Sequence, residues 1–62
     1  MNNCFMFKIL PEEKIVGVYA NTYLKAAFKC KEEFGNAEFQ YIGVAPYGKK
    51  AREAMKITDY IY

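Results

Sequence analysis

Residues 22–34 carry a complete helix signal, set in a chain that otherwise alternates like β-strand. Asn21 or Thr22 supplies a side-chain oxygen to cap the N-terminus. At 100° per residue, Tyr23, Ala27, Cys30 and Phe34 fall on one stripe flanked by Leu24 and Phe28. Lys25, Lys29, Glu32 and Glu33 fall on the opposite side, and Lys29 and Glu33 are spaced for a weak ion pair. Gly35-Asn36 follows at once, and glycine there permits the left-handed conformation that ends a helix. The apolar stripe is expected to be core, which makes Cys30 a small core residue.

The flanking segments read as strands. Residues 3–10 alternate, with Phe5, Phe7 and Ile9 on one face and Cys4, Met6 and Lys8 on the other. Pro11-Glu12-Glu13-Lys14 is a turn signal. Residues 15–20 form a second strand, Val16 and Val18 on one face and Ile15 and Tyr19 on the other, so a hairpin is expected. Gly17 in that strand implies either a bulge or close packing of another element on its backbone. Residues 37–45 form a third strand whose alternation breaks at Tyr41-Ile42, as at a bulge or in a strand covered on both faces. Ala45-Pro46-Tyr47-Gly48 is a turn signal. A loop or short helix over 48–54 and a strand over about 55–61 complete the chain.

A hairpin followed by one helix and further strands gives an α+β fold of two layers. The expected arrangement is an antiparallel sheet of three to four strands in β-β-α-β-β order, with the main helix on one face and a small extra helix as an option before the last strand. The 62 residues are expected to form a single domain over 1–62. A domain this small buries only ~60% of the surface its unfolded chain exposes, so it needs a dense core or a partner. The composition supplies one: 53% of residues are hydrophobic, with five Phe and six Tyr.

The side-chain inventory excludes much chemistry. The chain has neither His nor Ser, which removes the commonest general base and the usual nucleophile–base pairs. Glu12-Glu13 and Glu32-Glu33 read as solvated charges, and a non-enzyme is expected. Cys4 and Cys30 are not in a Cys-x-x-Cys arrangement, so no metal site and no cofactor are expected. Both thiols are expected free in a reducing cytoplasm, with a single Cys4–Cys30 disulfide as the alternative. Cys4 faces away from Phe5 and Phe7 and is expected to be the more exposed of the two. No cleavable signal and no stretch of ~20 apolar residues occurs, so no membrane partner is expected.

Two surfaces remain for function. The first is the sheet face away from the helix, with Cys4, Met6, Ile15 and Tyr19; together with Tyr41 and Tyr60 these are candidate partner-binding residues, since Tyr joins apolar area to a polar tip. A second copy of the chain is the simplest cover for that face. The second is the basic loop Tyr47 to Arg52, where Lys49, Lys50 and Arg52 can contact phosphates while Tyr47 stacks on a base. It lacks the spaced glycines and Lys-Ser/Thr ending of a phosphate-cradling P-loop. The expected function is therefore a small binding or adaptor protein acting through protein contacts, on itself as a homodimer or on another protein. A nucleic-acid-associated protein using the basic loop is the alternative.

Overall fold

In the computed structural model, which describes residues 2–62, the hairpin forms as expected. Strand β1 (Asn3–Ile9) and strand β2 (Lys14–Ala20) pair antiparallel without a break in register, with Phe5 opposite Val18 and Phe7 opposite Val16. Helix α1 (Tyr23–Phe34) follows. Thr22 caps it, its hydroxyl oxygen accepting a hydrogen bond from the Lys25 amide at 3.2 Å, and Gly35 ends it at a φ of 63°. Strand β3 (Phe39–Val44) pairs antiparallel with the free side of β1. The pairing steps from Phe7–Tyr41 to Met6–Gly43, so Ile42 is the extra residue of the bulge that the broken alternation implied.

In the second half the optional extra helix forms: a short helix α2 (Lys49–Ala54) precedes strand β4 (Ile57–Ile61), so the order is β-β-α-β-α-β. The sheet has four strands in the order β3-β1-β2-β4, and it is mixed: β4 runs parallel to β2. An all-antiparallel sheet is thus not what forms. The reason lies in the route of the chain. It leaves β3 at one edge and crosses both central strands before entering β4 at the other edge, and a connection that crosses a sheet delivers a parallel strand. The link from β2 through α1 to β3 is likewise a crossover, over β1. The two crossovers run in opposite directions on opposite faces, so they share one hand.

The core splits by sheet face. Under α1 lie Phe5, Phe7, Ile9, Val16, Val18 and Ala20, closed by Ala26 and Cys30 of the helix. Each large apolar side chain fully buried there contributes roughly 1.5–3 kcal/mol. Cys4, Met6 and Ala45 form a smaller cluster on the other face, with Ile15, Tyr19 and Ile57 around it.

Three expectations change here. The buried line of α1 is Ala26 and Cys30, whereas Tyr23 is 45% exposed. Small residues let the helix lie close on the sheet, and its larger side chains splay to the sides or outward. Relative to the expected stripe, which omits Ala26, the helix is turned by about half of one 100° residue step. Secondly, Cys4 is 1% exposed and not a surface thiol. Finally, a Cys4–Cys30 disulfide is ruled out by topology, because the sheet stands between the two clusters and both thiols are free.

Gly17 shows why the second face can be covered at all. The β1–β2 register passes through it unbroken, and the aromatic ring of Tyr60 lies across it. A Cβ at this position would sit 2.7 Å from Cys4 Sγ and 3.1 Å from Tyr60 Cδ1. Close packing, rather than a bulge in the hairpin, explains this glycine.

Candidate functional site

The residues expected to bind a partner are not one surface. Cys4 and Met6 are buried within the chain, at 1% and 4% exposure, and Ile15 and Tyr19 are half-buried beside them. What covers this face is the chain's own crossover. The Ala45 amide donates to the Cys4 carbonyl at 2.7 Å, which carries the chain onto the face before α2 begins. Burial pushes the Cys4 thiol pKa above its ordinary value of 9.0, partly offset by the charge of Arg52 and the Tyr19 hydroxyl.

Tyr41 stands elsewhere, on the α1 side of the sheet, where its ring meets Tyr23 edge-on at 4.8 Å and Phe7 at 5.5 Å. Beside it, Ile42 and Val44 of the same strand are exposed, as are Tyr41 itself and Tyr23 of α1, whose ring meets it. The outer side of β3 has no neighbouring strand, and none of its six residues is charged. Natural edge strands are usually blunted by Lys, Pro or short length. The bulge at Ile42 is the one such device here. The signal was present in the charge-free run Phe39 to Val44, but it becomes an edge only once the strand order is known.

The basic candidates divide as well. Arg52 pins α2 to the sheet: its Nε donates to the Pro46 carbonyl at 3.0 Å, its Nη1 donates to the Tyr19 hydroxyl, and its guanidinium lies 5.6 Å from the centre of the Tyr19 ring. No residue of α2 is itself buried. Lys49 and Arg52 line an open cleft of about 410 Å³ together with Glu53, Lys56, Ile57 and Tyr60. Tyr47 and Lys50 are not part of it. The hydroxyl of Tyr47 donates to Asn3 Oδ1 at 3.2 Å. Tyr60, a candidate partner-binding residue, lines the cleft. Lys56 was missed, because it reads as part of an ambiguous helix-or-strand segment. It holds a left-handed φ of 58° at the end of α2, where glycine is the ordinary choice.

No family model, curated protein or solved structure matches this chain. Among the described residues there is no group of three or more Cys, Asp or Glu side chains placed to hold a metal, and no helix long and apolar enough to cross a membrane.

Proposed function

We propose that this chain is a small non-catalytic binding protein that acts through protein–protein contacts, and that its first partner is a second copy of itself. The observation that carries the reading is the β3 edge: an uncharged outer strand with Tyr41, Ile42 and Val44 exposed on it and Tyr23 of α1 against Tyr41. Two such edges pair antiparallel about a twofold axis, each strand satisfying the other's free amides and carbonyls. Neither brings a charge to the new ladder. The β4 edge suits this less well, because it carries Asp59, which pairs with Lys14 at 3.7 Å.

Area sets what else takes part. A standard interface takes ~800 Å² from each partner, roughly a fifth of this chain's 4398 Å² surface. One edge strand supplies less than that, and Tyr23 of α1, whose ring meets Tyr41, adds apolar area beside it. The free thiols fit a reducing, cytoplasmic setting.

Sedimentation velocity at micromolar concentration tests the reading. The wild-type chain is expected as a dimer. Ile42→Lys places a charge on the edge and is expected to give a folded monomer with an unchanged circular dichroism spectrum. A wild-type monomer, or an Ile42→Lys variant that remains dimeric, removes the β3 interface.

A further inference from the structure

The cleft between α2 and β4 lies at the opposite edge of the sheet from β3, and its chemistry is different. Lys49, Arg52 and Lys56 supply three cations, Glu53 is its one carboxylate, and Ile57 and the Tyr60 ring are its apolar wall. Positions 49, 52 and 53 recur at helical spacing, so α2 directs these side chains to one side, and Lys56 joins them from the left-handed turn just beyond the helix. Among the described residues the one salt bridge is Lys14–Asp59, so none of these cations is neutralised by a carboxylate contact. Like charges gathered against a low-dielectric wall concentrate an anion.

Two features make the cleft more than a group of surface lysines. Arg52 is held in place through two of its five N–H donors, leaving three for a ligand. Lys56 occupies a strained left-handed position that glycine would take without strain. The backbone conformation does not call for lysine there, and its charge is what lysine adds. Flat aromatic rings stand alongside. Tyr60 packs 5.9 Å from Tyr19, and Tyr62 stacks on Tyr19 at 5.0 Å and 5° with its outer side exposed.

We propose that this cleft binds single-stranded nucleic acid, with phosphates held by Lys49, Arg52 and Lys56 and bases stacked on Tyr60 and Tyr62. Cations beside open aromatic faces are the recurring plan for unpaired strands, because every base has a face to stack. A duplex keeps its bases stacked on one another and offers these tyrosines nothing. At six residues, α2 is also too short to read a groove. The proposal does not depend on the β3 interface, and an Ile42→Lys monomer retains the cleft.

Fluorescence anisotropy with a labelled oligouridylate and the full chain tests it. Three phosphate contacts predict a slope of about −2 for log affinity against log salt, from ~0.7 per contact on a single strand. Lys49→Ala and Lys56→Gln should each weaken binding several-fold and reduce the slope by ~0.7. Tyr60→Leu should weaken binding and leave the slope unchanged. Lys25→Ala and Lys31→Ala on α1 serve as charge-matched controls and should bind as wild type, with circular dichroism confirming the fold of each variant. No binding at low salt overturns the proposal. So does equal affinity for a duplex of the same length, or an equal loss in the α1 controls. Displacement by inorganic phosphate or a mononucleotide at matched phosphate concentration also overturns it, since the cleft would then be a small-anion site.

Discussion

Gly17→Ala gives the sharpest test of how the second sheet face is packed. An added Cβ would lie 2.7 Å from Cys4 Sγ, where ordinary contact begins near 3.4 Å, an overlap of 3.4 − 2.7 = 0.7 Å. Cys4 cannot swing clear easily, because it is 1% exposed and enclosed by Met6 and Ala45. Overpacking of this kind costs about 1–3 kcal/mol. Replacing glycine also restricts the unfolded chain, which returns about 0.4–1 kcal/mol. The net expectation is a loss of roughly 1–2 kcal/mol, a fall in Tm of ~4–8 °C per kcal/mol for a domain this small. In a Cys4→Ala background the 2.7 Å contact is gone. The nearest remaining atom is Tyr60 Cδ1 at 3.1 Å, on a partly exposed ring of an edge strand that can give way. There, Gly17→Ala should be within ~0.5 kcal/mol of neutral, so the double-mutant cycle carries ~1–2 kcal/mol of coupling. Urea unfolding of the four proteins measures it. Equal costs of Gly17→Ala in both backgrounds would falsify the packing account, since independent sites add.

Three further outcomes follow from the same contacts. Arg52→Ala removes two hydrogen bonds that position α2, costs ~1 kcal/mol in a partly exposed setting, and should speed tryptic cleavage at Lys49 and Lys50 far more than at Lys25 or Lys31; uniform cleavage rates would show that Arg52 is not the pin. Ala26→Leu forces a large side chain between helix and sheet and should cost about 1–3 kcal/mol, read as a lower urea midpoint; an unchanged midpoint would mean that α1 does not lie close on β2. Burial raises both thiol pKa values above the ordinary 9.0, so between that value and the folded one the unfolded chain binds fewer protons and stability falls as pH rises. The urea midpoint of wild type should drop more steeply than that of a Cys4→Ala/Cys30→Ala variant between pH 8 and 10, and parallel curves would contradict this.

Local structure was legible in the sequence where local rules govern it. Thr22, the helical period and Gly35 marked α1, and alternation marked β1 and β2. The broken alternation at Tyr41-Ile42 located the bulge. Rotation of α1 was less legible, because hydrophobicity alone favours Tyr23 over Ala26, whereas close approach of helix and sheet favours the smaller residue. Strand order was not legible at all. It is a long-range property, and it decides which face α2 crosses, which edge stays open and where Lys56 meets Arg52. Hence Cys4 and Met6 read as an uncovered face although the crossover after β3 buries them. That Tyr60 and Lys56 line one cleft was equally out of reach, since it depends on where the chain re-enters the sheet.

The two proposed surfaces are linked by symmetry, and that linkage can be measured. Antiparallel pairing of two β3 strands in one continuous sheet puts the twofold axis perpendicular to the sheet. Both copies of α2 then lie on the same side, with the two clefts at the far edges of an eight-stranded sheet. Seven strand spacings of ~4.8 Å place those edges ~34 Å apart, before twist is considered. A nucleic-acid strand long enough to reach both clefts binds the dimer twice, and the second contact is intramolecular. Affinity for oligouridylates of increasing length should therefore rise gradually at first and then jump once both clefts are reached. The Ile42→Lys monomer should follow the gradual rise and lack the jump. A jump of the same size in that monomer would place its origin within one chain, and the β3 edge would have no part in it. Smooth growth in both proteins would mean that the clefts bind independently, whatever the oligomeric state.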